Sequence, residues 1–214
     1  MPAGACFKMT KLKRARSEDG KKLRVDAILK AAEKMLAHHR FEDCNLNEIA
    51  KQVGITKPAL YRYFRVKELI FLEVYKRELA LLVPGLAAAF APPDADKITD
   101  ALICQPLFCK LSSILTTVLE QPLTVEEAVL FKQSVGFALQ PVVIEMVVAL
   151  GLAPDKAVGW LMHMFAGLVG CWHVANPSNI MAEAYKAPGL EVFQMDFDES
   201  LRNHITMLLA GLKS

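Results

Sequence analysis

Apolar positions recur along this chain at intervals of three and four residues, the period of an amphipathic helix rather than of a half-buried strand. Val25, Ile28, Leu29, Ala32, Met35 and Leu36 fall on one face of a helix expected over about 22–39, with Phe41 packing after the turn. Leu46, Ile49, Ala50 and Val53 make the apolar side of a short second helix. Asn45 is its expected cap, with Glu48 three residues on completing a capping box. Gly54 suits the left-handed position that ends it, and Thr56 caps a third helix. Pro58 lies in that helix's first turn, where an N–H would lack an intrahelical partner in any case. Leu60 and Phe64, four apart, face inward, which leaves Lys57, Ala59, Tyr61, Arg62 and Tyr63 toward the outer surface.

A fourth helix is expected from Lys67 to Val83, ending before Pro84, and the stretch PGLAAAFAPPDAD at 84–96 then reads as a connection. Beyond it the pattern predicts helices over about 97–104, 106–120 and 124–150, the last opened by Thr124 with Glu127 and kinked at Pro141. A helix over 154–175 follows, then a loop or short helix after NPSN, and a final helix capped by Asp196 with Glu199 that runs to Leu209 or Ala210. The expected fold is all-α. It comprises a basic flexible arm at 1–20, a three-helix domain with a helix-turn-helix at 21–83, and a helical bundle at 84–214.

Composition changes this picture in four places. With 214 residues, 53% of them hydrophobic, the chain has enough apolar surface for one large or two small cores. The net charge of +2 conceals a split: residues 1–82 hold 18 Lys and Arg against 10 Asp and Glu, a net +8, and the remainder holds 7 against 13, a net −6. A basic N-terminal part on an acidic remainder points one end at a polyanion. The N-terminus MPAGACFKMTKLKRAR carries bases without the apolar run of about 7–15 residues that a secretory signal needs, so a cytoplasmic location is expected. Finally, residues 157–175 have no formal charge and are as long as a membrane span. With His163, His173 and several glycines inside and Lys156 as the one nearby base, the stretch reads better as a helix buried on most sides or at a subunit interface.

Little in the chain points to catalysis. The five cysteines, Cys6, Cys44, Cys104, Cys109 and Cys171, are odd in number and widely spaced, which argues for reduced thiols. Cys171 and His173 point apart on a helix, Cys104 and Cys109 straddle a proline, and no tetrahedral ligand set follows from either pair. Without a glycine-rich phosphate loop or a nucleophile elbow, no metal, cofactor or enzymatic activity is expected.

Two short helices joined by a glycine turn, the second exposing polar and aromatic side chains, meet the needs of a helix-turn-helix whose second helix enters the major groove. Residues 45–67, NLNEIAKQVGITKPALYRYFRVK, resemble the DNA-binding signature of the TetR family of transcriptional regulators. Ile49-Ala50, Gly54-Ile55, Leu60-Tyr61, Phe64 and Lys67-Glu68 carry the resemblance over a region of about 22–72. Asn45 stands where Thr is frequent, Pro58 where Gly often stands, Tyr63 where His is common, and Val66 where Ser or Asn usually caps the next helix.

The resemblance implies roles. Lys57 and Arg62 reach base edges or phosphates, and Pro58 and Ala59 meet a thymine methyl. Tyr61 and Tyr63 bond phosphate oxygens, Thr56 or Asn45 adds a backbone contact, and Lys67 meets a phosphate at the start of its helix. Arg14 and Arg16 in the arm are placed to reach an adjacent minor groove.

It also implies a homodimer whose last two long helices, here 154–175 and 196–210, pair across a two-fold axis through Met162, Phe165, Val169, Ile205, Leu208 and Leu209. The C-terminal part would bind a small apolar effector, for which Phe108, Leu111, Leu115, Phe131, Phe137, Trp160, His163 and Trp172 are candidate lining residues, each of which also suits plain core. The expected function is a repressor released from a palindromic operator by that effector. The rival from another class is an effector-binding or carrier bundle without DNA binding, against which the +8 N-terminal part argues.

Overall fold

The computed structural model describes residues 18–212, among which there are helices, turns and no β-strand. Arg14, Arg16 and Cys6 lie outside the described residues. The helices are α1 (Glu18–His38), α2 (Leu46–Val53), α3 (Lys57–Leu60), α4 (Lys67–Ala88), α5 (Ala95–Ile103), α6 (Pro106–Ile114), α7 (Val125–Leu150), α8 (Pro154–Ala175), α9 (Asn179–Ala184) and α10 (Phe197–Ala210). A π-helical turn, Leu115–Leu119, prolongs α6. The chain divides into two compact units at Ile70–Phe71, inside α4 rather than after it. A continuous helix therefore belongs to both.

In the first unit Ile28, Leu36, Ile49 and Leu60 are fully or almost fully buried, joining α1, α2 and α3 in one core. Arg24 of α1 is buried with them and donates from Nη1 to the Val53 carbonyl at 3.2 Å, at the end of α2 where carbonyls lack intrahelical donors. Asn45 caps α2 by accepting from the Asn47 N–H at 2.8 Å. The reciprocal half expected from Glu48 does not form, because the Asn45 N–H is taken by Met35 Sδ at 3.2 Å.

In the second unit one proline proves less disruptive than expected. The fourth helix does not stop at Val83; it passes through Pro84 to Ala88. Proline in a helix interior costs about 3 kcal/mol. Burying Leu86 and Phe90 just beyond it contributes about 1.5–3 kcal/mol apiece, which offsets that cost. The helix α7 runs through Pro141, as its expected extent required, and buries Val142 and Met146 beyond it. Its start is the expected capping box, with Thr124 Oγ1 accepting from the Glu127 N–H at 3.2 Å and Glu127 Oε2 from the Thr124 N–H at 2.8 Å.

The central packing of this unit sets α8 against α6, α7 and α10, and α5 against α6 and α10. Trp160 of α8 donates from Nε1 to the Leu208 carbonyl of α10 at 3.2 Å, and His173 Nε2 bonds the Ser113 carbonyl of α6 at 3.0 Å. Arg202 ties α10 to α5 through Asp96 at 2.6 Å and Asp100 at 2.8 Å. A Cβ on Gly167 would fall 1.9 Å from His204 Nε2, so the bare backbone there admits the imidazole across α8.

The helix α8, uncharged over 157–175, is not buried on most sides. One face, with Ala157, Trp160, Leu161, Met164 and Leu168, is covered, and the other remains open within the chain. Both α7 and α8 are long and apolar enough to cross a membrane by length and composition.

Candidate nucleic-acid interface

The turn between α2 and α3 is built from backbone geometry that the sequence specifies closely. Gly54 holds φ 72°, in the left-handed region, and its N–H donates to the Lys51 carbonyl while the Ile55 N–H reaches back to Ala50 at 2.9 Å. Two of the orphan carbonyls at the end of α2 are thus satisfied. Thr56 follows in extended conformation, its Oγ1 accepting from the Ala59 N–H at 3.3 Å, and Pro58 occupies the first turn of α3.

The regular part of α3 is only four residues long, but its backbone bonding continues as a tightening coil: Tyr61 N–H to Lys57, Arg62 N–H to Ala59, and Tyr63 and Phe64 N–H to Leu60. This coil buries Leu60 and Phe64 and turns the other face out. Asn45, Thr56, Lys57, Pro58 and Arg62 are exposed, Tyr61 is 44% exposed, and Ala59 and Tyr63 are half-buried. Eight of the nine residues read as DNA contacts therefore lie on or beside one open surface. That surface has two bases, two phenols and small apolar groups on a helix short enough to be read from its side.

The ninth, Lys67, is engaged within the unit. Its ammonium donates to the Phe41 carbonyl, lies 3.5 Å from the Glu42 carbonyl, and sits 4.1 Å from the centroid of the Phe41 ring. It fastens the loop between α1 and α2 to the start of α4.

The expected effector-lining residues divide into three groups. Phe108, Leu111, Leu115 and Phe131 are buried, and the rings of Phe108 and Phe131 both meet Tyr75 of α4, at centroid distances of 5.1 Å and 5.9 Å. Trp160 and Trp172 brace α8, against Phe90 at 5.4 Å and Phe197 at 5.2 Å. Phe137, 76% exposed, and His163 face outward and line nothing in the single chain. Tyr75 went unnoticed in the sequence because it falls among the apolar positions of a helix assigned to the DNA-binding part.

The expected dimer residues are also unequal. Met162 is 61% exposed, and Phe165, Val169, Leu208 and Leu209 are half-buried, but Ile205 is fully buried against its own chain and has no surface to offer a partner. The larger open apolar face belongs to α7: Val129, Leu130, Phe137, Ile144 and Val148 recur at helical spacing and all are exposed. Among the described residues no group of three or more His, Cys, Asp or Glu is placed to hold a metal ion.

Comparison with known proteins agrees with this geometry. Residues 28–74 match the family profile described as bacterial regulatory proteins, tetR family, and residues 73–214 match the tetracyclin repressor-like C-terminal domain. A curated relative, the uncharacterized HTH-type transcriptional regulator YdgC of Bacillus subtilis (strain 168), is 43% identical over 47 residues. That stretch is 22% of this chain and 24% of the relative, so it spans about a quarter of each. Among solved structures, a TetR transcriptional regulator from Rhodococcus sp. RHA1 superposes with a TM-score of 0.54 at 18% identity, over 91% of this chain and 99% of the other. A candidate transcriptional regulator from Streptomyces coelicolor A3(2) gives 0.57 at 16% identity, over 94% and 98%. At these identities the two structures share the fold.

Proposed function

The chain belongs to the TetR family of bacterial regulatory proteins, and from that premise we propose that it is a ligand-responsive, DNA-binding transcriptional regulator acting as a homodimer in the cytoplasm. It represses from a palindromic operator and leaves it when a small, largely apolar effector binds the C-terminal unit. The observation that carries the reading is the open face of α3, with Lys57, Pro58, Tyr61 and Arg62 exposed on a coil anchored from beneath by Leu60 and Phe64. Arg62 reads a guanine edge, Lys57, Tyr61 and Tyr63 hold phosphates, and Pro58 and Ala59 meet apolar base edges. Asn45 and Thr56 cap the two helices and set their N–H groups toward the DNA backbone. Lys67 holds the α1–α2 loop rather than a phosphate, since its ammonium is already committed to Phe41.

A dimer supplies two such helices about 34 Å apart, one turn of duplex. Its interface is formed by the exposed stripe of α7, centred on Phe137 and Ile144, with Val158 and Met162 of α8. Phe165, Val169, Leu208 and Leu209 flank it. Covering this face with a second copy removes the exposed apolar surface on both long helices, which a chain in water otherwise leaves open. An effector acts by favouring a form in which the recognition helices are wrongly spaced, and only its differential affinity for the two forms shifts the balance.

Selection of duplexes from a random pool by the full-length protein tests the proposal. A two-fold-symmetric sequence with half-sites about one turn apart is expected. Recovery of unselected sequence, with no retention of duplex DNA at low salt, would instead support a bundle that binds an effector alone.

A further inference from the structure

Where α4, α6 and α7 meet, the second unit holds two hydroxyl groups inside an otherwise apolar wall. Ser112 of α6 is 1% exposed and its Oγ makes no hydrogen bond of regular geometry, although a helical serine ordinarily bonds a carbonyl one turn back. Beside it stands the phenol of Tyr75, buried and stacked on Phe108 at 5.1 Å and tilted on Phe131 at 5.9 Å. Burial pushes the Tyr75 phenol well above its usual range. A weak hydrogen-bonding contact with Ser112 opposes that push, and the charge of the Glu120 carboxylate adds to it. The two hydroxyls are in contact, but the contact falls short of the geometry of a full hydrogen bond and leaves Ser112 Oγ under-satisfied.

A buried polar atom without a partner destabilises the fold unless something else supplies the bond. The helix also departs from regular α-geometry just after this point, at the π-helical turn Leu115–Leu119, a distortion frequent at functional sites. Charge limits what can bind there. A buried anion would lose its hydration, and Lys132, whose ammonium lies 5.6 Å from the Phe131 ring centroid, is already paired with Glu120 at 2.6 Å.

Resting on the effector reading above, we propose that the effector is an uncharged molecule with an aromatic or aliphatic body seated against Phe108 and Phe131 and one hydroxyl or carbonyl group that bonds Ser112 Oγ and the Tyr75 hydroxyl. Ser112 and Tyr75 then discriminate a polar-headed apolar ligand from the bare hydrocarbon, and the cost of burying a charge in this apolar wall excludes the corresponding acid.

The test uses full-length protein and three probes of one shape: 1-naphthol, naphthalene and 1-naphthoate. Wild type is expected to bind 1-naphthol about three- to tenfold more tightly than naphthalene, the worth of one net hydrogen bond, and 1-naphthoate most weakly. In Ser112→Ala that preference falls toward unity, and in Tyr75→Phe, which keeps the ring stacking, it falls in part. A measurement without ligand accompanies these: Ser112→Ala leaves the melting temperature unchanged or raises it, because the lost hydroxyl made no well-formed hydrogen bond. A clear fall in ligand-free melting temperature, an undiminished preference in Ser112→Ala, 1-naphthoate as the best probe, or no binding of 1-naphthol would each overturn the site. Operator affinity measured on the same samples separates the two readings. Its absence counts against the DNA-binding role, and intact operator binding with any of those four results counts against the site alone.

Discussion

Lys67 places its ammonium on the carbonyl of Phe41 and 4.1 Å from the centroid of the same residue's ring, so one cation secures both the backbone and the side chain of the α1–α2 loop. A hydrogen bond from a charged donor contributes about 1.5–3 kcal/mol and an exposed cation–π contact about 0.5–1 kcal/mol, partly overlapping. Lys67→Ala is therefore expected to lower stability by about 1–2 kcal/mol in urea unfolding followed by circular dichroism. The slope of log affinity against log salt should stay at the wild-type value; a slope smaller by about one would assign Lys67 to a phosphate.

Arg62 stands exposed on the outer face of α3. Replacing it by alanine should cost about 1–3 kcal/mol of operator affinity and flatten the preference at one base pair in each half-site, measured by competition with single-substitution operators. Losses equal across all sequences would move Arg62 from base to phosphate.

Gly54 at φ 72° has open space around its α-carbon, so the cost of a side chain there comes from backbone conformation alone. Gly54→Ala is expected to destabilise the protein by about 1–2 kcal/mol, the penalty for a left-handed non-glycine residue, without steric repacking. A neutral result in chemical denaturation would show that the turn relaxes to another geometry.

Phe137, 76% exposed on α7, and Met162, 61% exposed on α8, are assigned to the two-fold interface. Burying such a side chain contributes about 1.5–3 kcal/mol, so Phe137→Glu and Met162→Glu should each weaken the dimer at least about tenfold. Sedimentation velocity across a concentration series measures this. Unchanged association would locate the interface elsewhere, and co-sedimentation of the wild type with lipid vesicles would assign these faces to a membrane.

Burial pushes the Cys109 thiol up to about 12 from an ordinary value of 9.0, and its Sγ donates to the Leu102 carbonyl at 3.3 Å. A raised folded-state value means the neutral thiol is favoured by folding. Its stabilisation is complete below about pH 8.5, where the unfolded thiol is also protonated, and is lost as pH climbs toward 12. In the native protein at pH 8, iodoacetamide should label the exposed Cys104 and spare Cys109, as read by peptide mass spectrometry. Equal labelling would mean that α6 opens readily.

Local rules made much of this legible in the sequence. The Thr124–Glu127 box, the Thr56 cap and the left-handed Gly54 depend on residues within four positions of one another, and each stands where spacing placed it. The outward face of Lys57 and Arg62 followed from the inward pair Leu60 and Phe64. Distant partners were not legible. The capping box expected at Asn45 gave way to Met35, ten residues earlier, and Lys67 turned to Phe41. Pro84 failed to stop its helix because the burial of Leu86 and Phe90 outweighs a local penalty. Ile205 and Phe137 show the same limit from two sides: helical periodicity marks an apolar position without saying whether its own chain or another covers it.

The central claim, that the open face of α3 binds duplex DNA in a symmetric pair, is tested most directly by fluorescence anisotropy of the full-length protein on a duplex recovered by selection, between about 50 and 200 mM salt. The account predicts saturable binding of one dimer per palindrome, weakening steeply as salt rises, with Lys57→Ala reducing the salt slope by about one. Failure to bind any duplex at the lowest salt, or binding that Lys57→Ala and Arg62→Ala leave untouched, would contradict it.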